Sequence, residues 1–593
     1  MQTDKRARPS WILRGLGTIA MACLALSVWA SMSDQTAGPV INSVGIQLPA
    51  DAAPLEYQIL QTFQESFKYM DQTVTGYEVA YGAYLIAEPL LRVDRNFSLQ
   101  PAAATRWQVS EDGLTWFFYI RPDLVFSDGR PITAHDYVNT FRLWADPKTA
   151  YDFEWYYRSI KHWEAVVSGQ KSLQNLGVQA LDEHTLAITT ERPTPYLPAL
   201  LTYSQLTPMH AIEKYGGAWS TRPETSISSG PYRLQEWSKG NQIILQPNPT
   251  YHGSAKPYLE KLVARLYSVA ARPPFMAAYQ NGEVDYIKIT NQAELNRIKT
   301  DPTMKDQLNT YVDFITYYMT MDTYRPPFND LRVRQAFSHA IDREALAKSA
   351  LRGVGVPAHS MLQPNFPGAN PEALASIQRF DPVLARQRLA EAGYPDGQGF
   401  PKLDVWLRNT PTGPVSTAAE AIQAMLKKTL NIDIGVRNME VKVFMEALNS
   451  HQLPLALVPY GYDYLDASNQ LDIWQSYGRH AWQNDRFEQF VLRGNQMVHD
   501  AVARTALYQE AERILVSDVG GIFLWYELAN EMWKPYVRGE ALEPNRWGNR
   551  AWRGNQRNLT PTLYITEAVM KDQESRRPRQ SADSFWQWLL DRR

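Results

Sequence analysis

The groups with which this 593-residue chain could do covalent chemistry are 62 carboxylates, ten histidines and one cysteine. Their spacing assembles no catalyst. The sequence holds no HExxH pair, no His/Cys cluster, no glycine-rich phosphate loop and no G-x-S-x-G turn. Glu111 and Asp112 fall in a turn, and Asp330 and Asp342 belong to a helical string, so their closeness along the chain implies no reaction. His359, in GVGVPAHSM (Gly353–Met361), is a lone imidazole, a type that more often packs than binds. Cys23 lies in an apolar N-terminal run, which leaves the rest of the chain without a thiol nucleophile or a disulfide. Asp463, in VPYGYDYLD (Val458–Asp466), reads locally as a strand-end or turn carboxylate, and Tyr460 and Tyr462 beside it suit either pocket walls or core. The chemistry within reach is non-covalent.

The elements that must position such groups alternate. Charged residues make up 21% and hydrophobic ones 44%, a globular composition, and the length suggests about three or four domains. Trp116–Ile120 reads as a strand, Val125–Thr133 as a turn, and Ala134–Leu143 as a helix capped by Thr133. Val178–Thr190 holds a pair of strands. Asp381 as cap, Pro382 at the first helical position and Gly393 past the end frame another helix. Ala418–Leu430 reads as a helix, and Leu403–Leu407 and Ile432–Val436 as strands. In PPFNDLRVRQAFSHAIDREAL (Pro326–Leu346), Asn329 or Asp330 caps a helix whose apolar stripe runs through Val333, Phe337, Ala340 and Ile341. The class is mixed α/β, with no internal repeat.

Lys5, Arg6, Arg8 and Arg14 precede the apolar run Gly15–Ala30, the pattern of a secretory signal peptide cut after Ala30. The alternative is an uncleaved anchor. Cleavage at Cys23 fits less well, because Ala20-Met21-Ala22 lacks a lipobox leucine. A net charge of −2 offers no basic excess for nucleic acid. Tyr (32) and Trp (18) are abundant, which suits wet recognition surfaces as well as a large core. The C-terminal SADSFWQWLLDRR is read as a frayed basic and aromatic tail, with a membrane or partner contact as the alternative.

Read whole, Pro326–Leu346 resembles the signature of family 5 solute-binding proteins, the peptide and nickel receptors of bacterial ABC importers. Pro101–Val138, Leu176–Thr190, His210–Trp219, Ser229–Gly253, Leu389–Tyr394 and Asn431–Val436 resemble further blocks of the same family. The resemblance implies a three-domain periplasmic binding protein, two lobes with a hinge and an inserted domain. On that pattern residues 40–91, 223–320 and 541–569 form lobe I, 92–222 the inserted domain, 321–540 the opposing lobe, and 570–593 the tail, with crossings near Thr320 and Val537. It further implies an exported monomer that binds peptide, serves a membrane permease, uses no cofactor or metal, and performs no catalysis.

Site residues follow from the same resemblance. Asp463 matches the carboxylate that pairs with a peptide's α-ammonium, a charge-assisted contact worth roughly 1.5–3 kcal/mol. Tyr460, Gly461 and Tyr462 match a segment whose main chain pairs with bound peptide, although Pro459 lacks an N–H there. Leu448 and Leu457 stand where a related receptor has arginines, and Val441 replaces a pocket aromatic, so capture of a C-terminal carboxylate falls to Arg408. His359 lies in a loop that faces the cleft in this family. Leu55–Glu78 is longer than the family's loop and reshapes the rim. Non-peptide ligands of the family, an oligosaccharide or a nickel chelate, remain open, as do a cell-wall-peptide hydrolase and a sensor.

Overall fold

The computed structural model describes residues 38–67, 70–71, 82–253, 255, 257–268, 270–409, 413–550 and 557–576. The N-terminal apolar run and the aromatic end of the chain lie outside these residues, as does part of Leu55–Glu78.

Three sheets organise the molecule. The first joins β1 (Ile59–Glu65), β10 (Lys261–Tyr267), β9 (Gln242–Pro247) and β8 (Tyr232–Ser238) in that order, with β1 parallel to β10. The second is antiparallel and runs β4 (Ala104–Val109), β5 (Thr115–Ile120), β7 (Thr185–Thr189), β6 (Val178–Ala180). Between them in sequence lies the hairpin β2 (Leu91–Val93) and β3 (Leu99–Pro101).

The third sheet is the largest. Its order is β11 (Tyr286–Lys288), β17 (Gly521–Trp533), β12 (Leu308–Met321), β16 (Leu455–Tyr460), β14 (Leu403–Arg408), β15 (Ile434–Met439), and β13 (Gly355–Pro357) also pairs with β17. A last pair, β18 (Val537–Gly539) and β19 (Leu563–Ile565), closes against the first sheet. β12 and β17 have 14 and 13 residues and pair from Leu308↔Met532 to Thr320↔Gly521. One end of this ladder packs with the first sheet through Tyr286 and Trp533, and the other is buried on both faces by helices. The register slips between Val312 and Thr316, where β12 gains residues over its partner and bends.

Local chemistry explains the helices. Thr133 and Asp136 form a capping box on Ala134–Ala145. Asp381 caps Pro382–Glu391, and Gly393 beyond its end adopts φ +94°. The stripe Val333, Phe337, Ala340 and Ile341 is fully buried. Its helix is Leu331–Ala340, capped by Asp330, and stops before Ile341 because Asp342 caps a new turn at Arg343–Ala345. The strand expected at Ile432–Val436 lies at Ile434–Met439, and the helix expected from Ala418 begins at Pro414.

The arginines of this string are structural. Arg343 is buried and donates to the carbonyls of Phe523, Ser338 and Gln378 and to the Gln378 side chain, tying the helical string to β17. Arg334 likewise donates to the carbonyls of Asp518, Val519 and Phe328. Replacing Arg343 by Met leaves these buried carbonyls unpaired, and denaturant melts should show a loss of about 3 kcal/mol or more.

A buried acid fixes the loop after β13. Glu512, fully buried, accepts from the N–H of Leu362 at 2.7 Å, and burial pushes its carboxyl up to about 7 from 4.5. Between those values the folded chain keeps a proton that the unfolded chain has lost, so this contribution is complete at low pH and disappears as pH rises through 7. Burial raises Glu88 and Asp472 to about 7 as well. The stability owed to these three acids should therefore fall between about pH 5 and pH 7.5, so the native Tm should drop relative to that of Glu512→Gln across this range.

Candidate ligand-binding site

β14 and β16 run parallel, with Trp406↔Ala456 and Leu407↔Leu457 in register, so Arg408 and Tyr460 leave the sheet at the same end. The C-terminal ends of parallel strands are the usual place for a ligand crevice in open α/β sheets. Here β16 runs into the segment Gly461–Asp466.

Every polar group of Asp463 but one has a protein partner. Its N–H donates to Asn469 Oδ1 at 2.9 Å, and its carbonyl accepts from the Tyr156 hydroxyl at 3.3 Å. Oδ2 accepts from the Tyr460 hydroxyl at 3.0 Å and from Asn469 Nδ2 at 3.2 Å. Oδ1 takes no protein donor among the described residues, and the side chain is half-buried. The carboxylate is thus held in one orientation with one oxygen left to accept.

Its supports reach deep into the fold. Asn469 lies on the helix Ala467–Leu471, whose cap Asp466 takes two bonds from Arg504 at 2.6 and 2.7 Å. The neighbouring Gln470 exchanges bonds with Gln363, which also donates to Thr316 of β12. Tyr460 is largely buried, and desolvation, reinforced by the Asp463 charge, raises its hydroxyl pKa well above the ordinary range. That hydroxyl is therefore a fixed donor. Tyr462 packs edge-on against Phe314 and Phe366, with ring centres 5.8 and 5.9 Å away.

Tyr464 enters the hydrophobic core of the second sheet, stacked on Tyr196 at 5.4 Å and edge-on to Tyr156 at 6.0 Å. Nearby, His499 meets the carbonyl of Glu111 at 3.1 Å, and Val498 packs on the same core. Asp463 therefore sits where the domain built on β4–β7 meets the large sheet. A methyl at Gly461 would stand 3.5 Å from Ile315, an ordinary contact, so the glycine there is not demanded by crowding.

The remaining expected residues lie apart from this cluster. Arg408 places its guanidinium 3.9 Å from the sulfur of Met445 and makes no ion pair among the described residues. His359 is half-buried, its N–H facing the Tyr526 hydroxyl at 3.3 Å, and burial keeps its imidazole pKa low. The charges that act on it are Glu372, Arg343 and Glu344 rather than Asp463. Leu448 and Leu457 are buried in two different hydrophobic cores, and Val441 is exposed.

Two adjoining cavities flank the ladder. One of about 190 Å³ is lined by Tyr317, Trp525, Glu527, Val415 and Lys288, and one of about 310 Å³ by Phe63, Tyr267, Phe275, Arg272 and Lys288. Lys288 bridges to Glu527 at 3.2 Å, and the Tyr317 hydroxyl donates to the same carboxylate. Tyr156, Asn469, Arg479 and Lys288 escaped the reading of the sequence. Tyr156 is 307 residues from Asp463, and no local pattern joins them.

Comparison with known proteins identifies the family of the fold. The profile of bacterial extracellular solute-binding proteins, family 5 (middle), matches residues 98–482. The periplasmic oligopeptide-binding protein OppA of Escherichia coli is 29% identical over 462 residues, covering 76% of this chain and 83% of its own. A second Escherichia coli relative, the probable deoxycholate-binding periplasmic protein YgiS, is 29% identical over 469 residues, 77% of this chain and 85% of its own. Among solved structures, a periplasmic oligopeptide-binding protein from Borrelia burgdorferi superposes with a TM-score of 0.66 at 26% identity, covering 86% of this chain and 99% of that one. The chain therefore belongs to the family 5 bacterial extracellular solute-binding proteins, and its three sheets build the fold of that family.

Proposed function

We propose that this chain is an exported receptor that captures peptides by their α-ammonium at Asp463 and delivers them to the membrane permease of an ABC importer. The observation that carries the reading is the oriented carboxylate with one open oxygen, at the junction of two domains. An ammonium there gains a charge-assisted hydrogen bond to a group that pays no further ordering cost. The names of the relatives support the ligand class, since OppA of Escherichia coli is an oligopeptide-binding protein. The basic start and apolar run of the N-terminus support export to the periplasm.

In this reading the main chain from Tyr460 to Tyr462 runs beside the ligand, and Arg408 meets its far end. Binding needs no metal or cofactor, the receptor works as a monomer, and no bond in the ligand is broken. Lobes move about β12 and β17, whose register slip at Val312–Thr316 supplies the bend. A ligand touching both sides favours the closed arrangement by its differential affinity alone.

Deoxycholate, named for the second relative, is an anion without an ammonium and gains nothing from Asp463. Calorimetry separates the readings. Free-amine peptides should bind at least about tenfold more tightly than their acetylated forms, and Asp463→Asn should remove that difference while leaving Tm nearly unchanged. Equal affinity for both forms in the native protein contradicts the amine anchor.

A further inference from the structure

Arg479 carries its guanidinium over the ring of Tyr460, with Cζ 4.9 Å from the centroid. It is half-buried, and among the described residues it joins no ion pair. The groups around it offer no counter-charge. His480 is fully buried, and desolvation, aided by Arg479 itself, holds its imidazole neutral. His451 turns its Nε2 to the carbonyl of Gly478 at 3.0 Å, and Tyr318 shares its hydroxyl with His480 at 2.9 Å. Asp463 holds the far end of the same tyrosine, accepting from the Tyr460 hydroxyl. A tyrosine face offers a guanidinium much less than an acid does, and this one lies one tyrosine away from the amine anchor.

Tyr460 therefore acts as a spacer between opposite charges. The contacts at its hydroxyl, 3.0 Å, and its ring face, 4.9 Å, keep Asp463 Oδ2 and the Arg479 guanidinium carbon within about 11 Å of each other. A first-residue glutamate spans such a gap, its α-ammonium on Asp463 Oδ1 and its side-chain carboxylate on the fork of Arg479. We propose that Arg479 is a specificity residue, and that the receptor selects peptides whose first residue is acidic. This rests on the reading of Asp463 as an amine anchor. A first-residue glutamine leaves the guanidinium without its counter-charge, and a lysine brings repulsion.

The test uses the whole protein and a synthetic hexapeptide library with every residue at the first position, half of it N-acetylated, captured at equilibrium and sequenced by mass spectrometry. Free-amine peptides beginning with Glu or Asp should be enriched about tenfold over those beginning with Gln or Asn. Arg479→Met, which keeps an unbranched stem against Tyr460, should lose that enrichment and still retain free-amine peptides at an unchanged Tm. Arg479→Lys should keep a weaker preference. Equal retention of Glu-first and Gln-first peptides by the native protein, or a preference that survives in Arg479→Met, overturns the role of Arg479 and leaves the anchor standing. Equal capture of acetylated and free peptides overturns the anchor itself, and an empty capture overturns both.

Discussion

The pairing of β12 with β17 is the constraint on which the rest of the molecule depends. Two strands of this length extend from the core of the first sheet into the helix-covered half of the large one. Both buried arginines of the signature string attach to the start of β17 or to the loop before it, and Thr316 of β12 fixes the loop after β13 through its bond to the Met361 carbonyl. β16 pairs with β12 from Met321↔Leu455 to Thr316↔Tyr460, and the segment that holds Asp463 begins where that pairing ends. The register shift between Val312 and Thr316 interrupts the β12–β17 ladder next to the place where β16 ends at Tyr460.

The site follows from what this frame leaves unpaired. Asp463 is oriented by an asparagine one helical turn into Ala467–Leu471, by a tyrosine two strands' width from the ladder's partner, and by a tyrosine of another domain. None of these donors neutralises it. The carboxylate of Asp463 is held by neutral donors and has no cation among the described residues, whereas the nearby Asp466 is already matched by Arg504. The same contrast separates Lys288, paired with Glu527, from Arg479.

Much of the fold was legible in the sequence because its signals are local. Caps at Thr133, Asp330 and Asp381 and the left-handed glycine at 393 act within a turn of the chain. Legibility failed where neighbours compete. The apolar stripe runs on into Ile341, but the side chain of Asp342 captures the N–H of Ala345 and starts a new turn. The extent of β12 and β17 was not readable, because buried strands lose the alternation that marks half-exposed ones. Asp463 stood out only through family resemblance. Its partner Tyr156 comes from tertiary packing and Asn469 from the turn into the next helix, while Arg408 and His359, chosen by loop and strand position, have their nearest partners elsewhere.

The most direct measurement is a crystal structure of the protein bound to the peptides it retains from a defined free-amine pool. The account predicts the ligand's primary ammonium within about 3 Å of Asp463 Oδ1, with Tyr460 and Asn469 still on Oδ2. A ligand seated with its amine in solvent, or an Asp463 carboxylate that meets only Tyr460 and Asn469 in the loaded receptor, contradicts it.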